Sequence, residues 1–257
     1  MSGLQFFQLF RYGSVFLISI ILPRAGLLPD QVGIFEAFLF FGGVVTYFWI
    51  TGLIQALLPL ASREDVTRDP LSVTRIESPI THHASQDFFN ASILLLLFSL
   101  LSAATLLLAA PVMEKLLRQE LPREIVWLVA LYIVLFAPST LVEYWYVVSN
   151  QSKTLARYGV AAFTLQILLV GIPVIAGLGV KGAIWGMIAA GAFRTSWLIT
   201  ILVRNRNFAI SLPFWRTYLH LGTPILLSVL LSGSAQYVNG FIITTRFDAG
   251  VFAIFRY

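Results

Sequence analysis

Few side chains in this sequence could do chemistry, and those that could sit inside long apolar stretches. Arg24 follows Pro23 in one such stretch. A guanidinium binds phosphate oxygens through two parallel hydrogen bonds, and the proline removes a backbone donor and permits a bend beside it. The other reading of Arg24 is a membrane-end anchor. Glu36, Gly43 and Tyr47 recur at sevens and fours, so they share one helical face, flanked by Phe40 and Thr51. A carboxylate, a gap and a phenol suggest a wet wall; alternatively, Glu36 sits at an interface or at the positive start of its helix. Tyr132, Ser139, Glu143 and Asn150 form a second polar stripe. Glu143 could be an ion-coupling carboxylate that binds a proton or sodium ion, or the quiet partner of Arg157 or another arginine at that end. Arg194 follows Met187, Ala190 and Gly191 on one side of a helix, where it points into a bundle or snorkels to a headgroup. Ser228, Ser232, Gln236 and Asn239 line one face of a later helix, suited to sugar hydroxyls and water or to gluing helices together.

Other chemistries lack their residues. There is no glycine-rich phosphate loop with Lys and Ser/Thr, so ATP hydrolysis is not expected. The chain has no cysteine, which removes disulfide and thiolate chemistry. His82 and His83 are adjacent, a spacing that points the rings apart, so no metal site is expected. The Asn90-Ala91-Ser92 and Asn150-Gln151-Ser152 acceptor patterns are too common to decide anything. The chain reads as a non-enzyme without cofactor, and any energy must come from gradients or substrate flow.

The elements that carry these residues are hydrophobic spans. The 257 residues are 58% hydrophobic and 11% charged, with mean hydropathy +0.84, well outside soluble composition. Runs free of Asp, Glu, Lys and Arg cover residues 37–62, 88–113, 125–142, 158–180 and 217–245, each long enough for the roughly 20 residues of a span. Residues 8–28, with Arg11 and Arg24, and 182–203, with Arg194, complete about seven transmembrane helices. The fold class is all-α, a polytopic membrane bundle. The net charge of +5 does not form a basic stripe, so nucleic acid is not an expected partner. With the N-terminus cytoplasmic, nine basic residues, Arg11 and Arg157 among them, fall inside and six, Arg24 among them, outside. Trp127 and Trp185 would then mark the outer interface and Trp145, Trp197 and Trp215 the inner one. No cleavage site follows the first span, which is expected to remain as an anchor.

The one long hydrophilic stretch, Arg63 to Asp87, reads as a cytoplasmic loop. Other connections are short, so consecutive helices should be antiparallel neighbours. Residues Tyr12-Gly13-Ser14-Val15 and Leu221-Gly222-Thr223-Pro224 each open a long helix. Downstream, Asp30-Gln31-Val32-Gly33-Ile34-Phe35 parallels Asp248-Ala249-Gly250-Val251-Phe252. The seventh helix thus restarts the first, as in transporters built from repeats. The expected organisation is a six-helix bundle over 1–205, with 206–257 supplying the first helix and the start of the next helix of a second bundle. The sequence stops as a hydrophobic segment begins, so a longer parent protein is expected.

Arg11-Tyr12-Gly13, Val32-Gly33-Ile34-Phe35-Glu36, Leu58-Pro59-Leu60, Asp87-Phe88-Phe89-Asn90-Ala91 and Gly250-Val251-Phe252 together resemble the polysaccharide-biosynthesis flippases, the O-antigen-translocase-like branch of the multidrug/oligosaccharidyl-lipid/polysaccharide exporter superfamily. The resemblance implies a two-lobed inverted-V transporter of which this is the N-terminal half. It implies translocation of undecaprenyl-pyrophosphate-linked oligosaccharide across the bacterial cytoplasmic membrane by alternating access, for cell-surface polysaccharide biosynthesis such as that of lipopolysaccharide O-antigen. Membrane lipids surround it, and a glycan polymerase or ligase is a candidate partner. On this reading Arg24 foremost and Arg194 second hold the pyrophosphate, and the faces bearing Glu36 and Tyr47 and bearing Ser232, Gln236 and Asn239 accompany the glycan. The alternatives are a cation-coupled multidrug exporter of the same superfamily, using Glu36 and Glu143, or a membrane-embedded glycan-assembly enzyme, which the short outer loops disfavour.

Overall fold

The computed structural model describes residues 3–66, 82–116, 123–205, 208–247 and 251, and among these every regular element is a helix. In chain order they are α1 (Gly3–Arg24), α2 (Pro29–Val66), α3 (His82–Leu116), α4 (Arg123–Ser139), α5 (Leu141–Val148), α6 (Ser152–Ile175), α7 (Gly179–Asn205) and α8 (Leu212–Arg246). Among the described residues six spans are long and apolar enough to cross a membrane, with α4 and α5 together forming Arg123–Val148; α8, bent by 49° after Ser234, makes a seventh when its two parts are taken as one span. The protein is therefore the multi-pass helical bundle that its composition predicts. Helix takes both ends of the stretch read as a loop from Arg63 to Asp87, and its middle, 67–81, lies outside the described residues. So does the restart at 248–257, apart from Val251.

Chain neighbours are not always spatial neighbours. Gly26 adopts φ +88° in the turn between α1 and α2, a conformation that glycine reaches without steric cost. Beyond that turn, however, α1 packs along α6 and meets α2 only lightly, while α2 packs along α8. The expectation of simple antiparallel neighbours fails here because close approach is set by small residues rather than by connection length. Gly159 on α6 gives Phe7 its place, and Gly171 faces Ile21. On α8, Gly222, Gly233 and Gly240 receive Leu53, Tyr47 and Phe40 of α2 in antiparallel order.

Two apolar clusters fill the bundle. One, at the Arg24 end, includes Leu22, Phe35, Phe38, Ile133, Val170 and Ile184. The other, at the Gly3 end, includes Phe7, Trp49, Leu53, Leu141, Trp145 and Tyr218. Outside, Leu101, Leu108, Ile175 and Leu231 are exposed, as befits side chains solvated by lipid tails. Because lipid is as apolar as leucine, association here rests on close contact and hydrogen bonds rather than on a hydrophobic driving force.

Asn90 ties the start of α8 to α3. Its side chain is fully buried. The amide nitrogen donates to the Gln86 carbonyl at 2.8 Å and to the Ala209 carbonyl at 2.9 Å, and its oxygen accepts from the Ser211 N–H at 2.8 Å. The Trp215 indole donates to the Asn90 carbonyl at 3.2 Å, and the Tyr218 hydroxyl donates to the Leu53 carbonyl at 2.7 Å. Ser211 caps α8 by accepting from the Phe214 N–H.

The Gly182/Gly186 pair behaves as a small-residue interface, and a methyl on Gly186 would collide with the backbone carbonyl of Leu169 on α6. Backbone cannot step aside, so Gly186→Ala should cost on the order of 1–3 kcal/mol, the usual range for overpacking. Gly13 has nothing within 4 Å of an added Cβ, and Gly13→Ala should hold or slightly raise stability. Thermal melting of the purified variants in detergent checks this; equal Tm values would mean that α6 and α7 do not touch at Gly186.

Candidate functional site

The polar centre of the bundle begins with a helix break. Pro138 has no N–H to donate to the carbonyl one turn earlier, and the helix expected over the whole fourth span divides at Thr140 into α4 and α5. Hydroxyl groups bond carbonyls in the last turns of α4. Ser139 and Thr140 donate to the Phe136 and Ala137 carbonyls, each at 2.6 Å, and Thr195 of α7 donates to the Leu135 carbonyl. Such side chains commonly re-satisfy broken backbone in membranes. The restart puts Glu143 in the first turn of α5, where the helix dipole favours a carboxylate. Asn150 leaves the polar stripe predicted for it: it sits in the turn before α6 with φ +53°, which asparagine tolerates.

Arg194 is the best-enclosed cation among the described residues, with only 4% of its surface exposed. Nη2 donates to Glu143 Oε1 at 2.5 Å, and Nε donates to the Tyr158 hydroxyl at 3.1 Å. The guanidinium carbon lies 5.0 Å from the Phe136 ring centre and 5.8 Å from that of Phe163, within cation–π range. Tyr158 stacks on Phe7 and packs against Trp197, whose indole donates to the Tyr146 hydroxyl at 2.8 Å. Of the two readings of Arg194, the structure has it inside the bundle and not snorkelling. Two of its donors meet internal acceptors and the group is buried, so in this conformation it does not present itself to a pyrophosphate.

Glu143 has a second partner. Its Oε2 accepts from Arg11 Nη1 of α1 at 3.3 Å, and the Arg11 side chain is 44% exposed against 17% for Glu143. Arg11 and Arg194, not Arg157, are thus the arginines that match it. Two cations share one anion, so the cluster carries one positive charge in excess. That excess rests on Arg11, the exposed member, at roughly 12 Å along α1 from Gly3 by helix rise.

The other predicted residues lie elsewhere. Arg24 is exposed at the far end of α1, about 20 Å from Arg11 at the rise of a helix. Glu36 is buried on α2, well separated along the sequence from the Arg11 cluster. The face of Gly43 and Tyr47 is real, but it meets α8: the Tyr47 and Tyr237 rings are 5.4 Å apart, and Gly43 lies under the Tyr237 hydroxyl. Together with Val44, Phe48, Val229, Gly233 and Phe241 these tyrosines line an apolar cavity of about 310 Å³, so this part of the expected wet wall is largely hydrocarbon. Ser228, Ser232 and Asn239 are exposed, with the Ser232 hydroxyl donating to the Ser228 carbonyl at 2.9 Å; the side chain of Gln236 lies outside the described residues.

Sequence reasoning passed over Arg11, Tyr158 and the aromatic box. For Arg11 a signal existed, since it lies within the span 8–28 and carries the same insertion cost as Arg194. The box had none, because its rings look like ordinary apolar filling.

Removing one side of a buried ion pair strands the other, at roughly 3–5 kcal/mol. Glu143→Ala should therefore be strongly destabilising, while Glu143→Met with Arg194→Met, which removes both charges, should recover most of the loss. Chemical or thermal denaturation in detergent, analysed as a double-mutant cycle, checks this. Additive losses would mean that the two side chains are not coupled.

Among known proteins, neither the curated proteins nor the solved structures yield a significant match. A family model described as polysaccharide biosynthesis protein matches residues 77–257, which span α3 to α8 with the Glu143 and Arg194 pair, the Asn90 staple and the α8 face. The chain belongs to the polysaccharide biosynthesis protein family.

Proposed function

We propose that this protein is a flippase that moves an undecaprenyl-pyrophosphate-linked oligosaccharide across the bacterial cytoplasmic membrane by alternating access, with its N-terminus in the cytoplasm. The observation that carries this reading is Arg11, a half-exposed cation within a membrane span, tethered through Glu143 to the buried Arg194. An arginine at that depth must face protein, water or an anion rather than lipid tails. The light packing of α1 on α2 leaves α1 free to border such a space. A diphosphate matches a guanidinium bidentately, which makes Arg11 the first cation to meet the carrier and leaves Arg24, about 20 Å further along α1, for the opposite leaflet. The exposed hydroxyl and amide row of Ser228, Ser232 and Asn239 suits the glycan.

The family supports a role in polysaccharide biosynthesis, and the membrane bundle supports a transport step rather than a catalytic one. A cation-coupled drug exporter would need a carboxylate available to the drug or ion; of its two candidates, Glu36 is buried on α2 and Glu143 is already matched by two arginines. Lipopolysaccharide or O-antigen assembly is the setting in which such a carrier would be used, alongside a glycan polymerase or ligase.

Proteoliposomes containing a fluorescent lipid-linked oligosaccharide test the proposal. Arg11→Ala should slow translocation about tenfold or more, the scale of losing one charge-assisted hydrogen bond, while Arg11→Lys retains part of the rate. Arg24→Ala should abolish translocation, with Arg24→Lys partly active. A wild-type rate in Arg11→Ala would remove that residue from the mechanism, and dye efflux without glycan transfer would hand the protein to the exporter reading.

A further inference from the structure

We infer that Glu143 is a positioning residue: seated by Arg194, it holds the Arg11 guanidinium at the bundle surface in the pose that receives a diphosphate. This rests on the reading of Arg11 as the carrier's first contact, and it assigns Glu143 a role other than ion coupling.

The two oxygens of Glu143 do different work. Oε1 is held by Arg194 at 2.5 Å inside the bundle, and Arg194 is itself fixed by Tyr158 and by the Phe136 and Phe163 rings. The carboxylate therefore has a set direction before Arg11 arrives. Oε2 meets Arg11 through the longer bond of 3.3 Å, from a single nitrogen, Nη1. One nitrogen directed inward leaves the remaining donors of the planar guanidinium fork for an outside acceptor. Without the carboxylate, a long side chain on an exposed helix face would swing toward the headgroups. Fixing it beforehand lowers the ordering cost of binding.

The charges fit the same role. Glu143 alone would repel a diphosphate, but Arg194 neutralises it, so the cluster offers the ligand one net positive charge. Each oxygen of the carboxylate also meets a guanidinium, so a sodium ion would have to displace a cation already in place.

The test separates positioning from both stability and net charge. Glu143→Met with Arg194→Met removes one negative and one positive charge, so the local net charge stays the same, and apolar replacement of a buried pair is often neutral for folding. Glu143→Gln with Arg194→Met has the same net charge but keeps an amide oxygen that can accept from Arg11. Titration calorimetry of the purified protein in zwitterionic detergent with inorganic pyrophosphate reads the site. The Met/Met variant should bind about tenfold more weakly than wild type, the Gln/Met variant should recover much of that loss, and Arg11→Ala should bind least. In translocation, the Met/Met variant should raise KM while leaving kcat nearly unchanged. Wild-type pyrophosphate affinity in the Met/Met variant would overturn the positioning role while leaving Arg11 as the anion contact. No pyrophosphate binding by the wild type would instead sink the anion reading of Arg11 itself. Repeating the titration with phosphatidylglycerol in the micelle distinguishes sources of phosphate: retained pyrophosphate binding supports the carrier, and its loss assigns the site to an anionic headgroup.

Discussion

A buried guanidinium in a lipid-solvated bundle is the constraint around which the Gly3 half of the molecule is arranged. On insertion scales a charge at mid-bilayer costs roughly 2.5–3.5 kcal/mol, and Arg194 meets that cost with one short ion pair, one phenol and two ring faces. These groups come from three helices: Glu143 from α5, Tyr158 and Phe163 from α6, and Phe136 from α4. Between Phe136 and Glu143 the fourth span divides at Thr140. Pro138 breaks it, and Thr195, the residue after Arg194, donates to a carbonyl just before the break. Cation and helix repair thus arrive on the same turn of α7.

Close approach of the helices is the second condition. Gly159 of α6, Gly186 of α7 and Gly233 of α8 admit a phenyl ring, a carbonyl and a tyrosine ring closer than an added Cβ would allow. In a membrane this matters more than apolar area does, because lipid offers the same hydrocarbon contact as a neighbouring helix. The pattern also explains the light contact of α1 with α2: the small residues that admit α1 are on α6, and those that admit α2 are on α8. Connection by a short turn cannot override that.

Much of the architecture was legible because the bilayer is a simple solvent. Span number follows from charge-free runs, whereas Arg194 stayed open between the bundle interior and a headgroup, because an arginine is long enough for either. The α2 face of Gly43 and Tyr47 was also visible as a helical stripe, yet its neighbour was not, since periodicity names a face and says nothing of what covers it. The break at Thr140 was missed because proline is tolerated in many membrane helices. Asn90 looked like part of a family motif, and its meaning, the pinning of residues 209–215 to α3, depends on contacts more than a hundred positions away. The pairing of Glu143 was anticipated in kind but not in partner, because Arg11 and Arg157 are equally good arginines until the packing of α1 on α6 brings only one of them to the carboxylate.

The placement of the two cations on α1 carries a last physical consequence. Arg11 and Arg24 lie about 20 Å apart along one helix, far more than a diphosphate can span. Arg11 is held laterally by a carboxylate that the bundle itself neutralises, whereas Arg24 ends the helix beside Pro23 and the Gly26 turn. If one anionic headgroup visits both, it must leave the first before reaching the second, and a single long bond to Arg11 is the kind of contact that can be exchanged without disturbing the buried pair beneath it. The short bond to Arg194 lies inside the bundle, and the long bond to Arg11 lies at its surface.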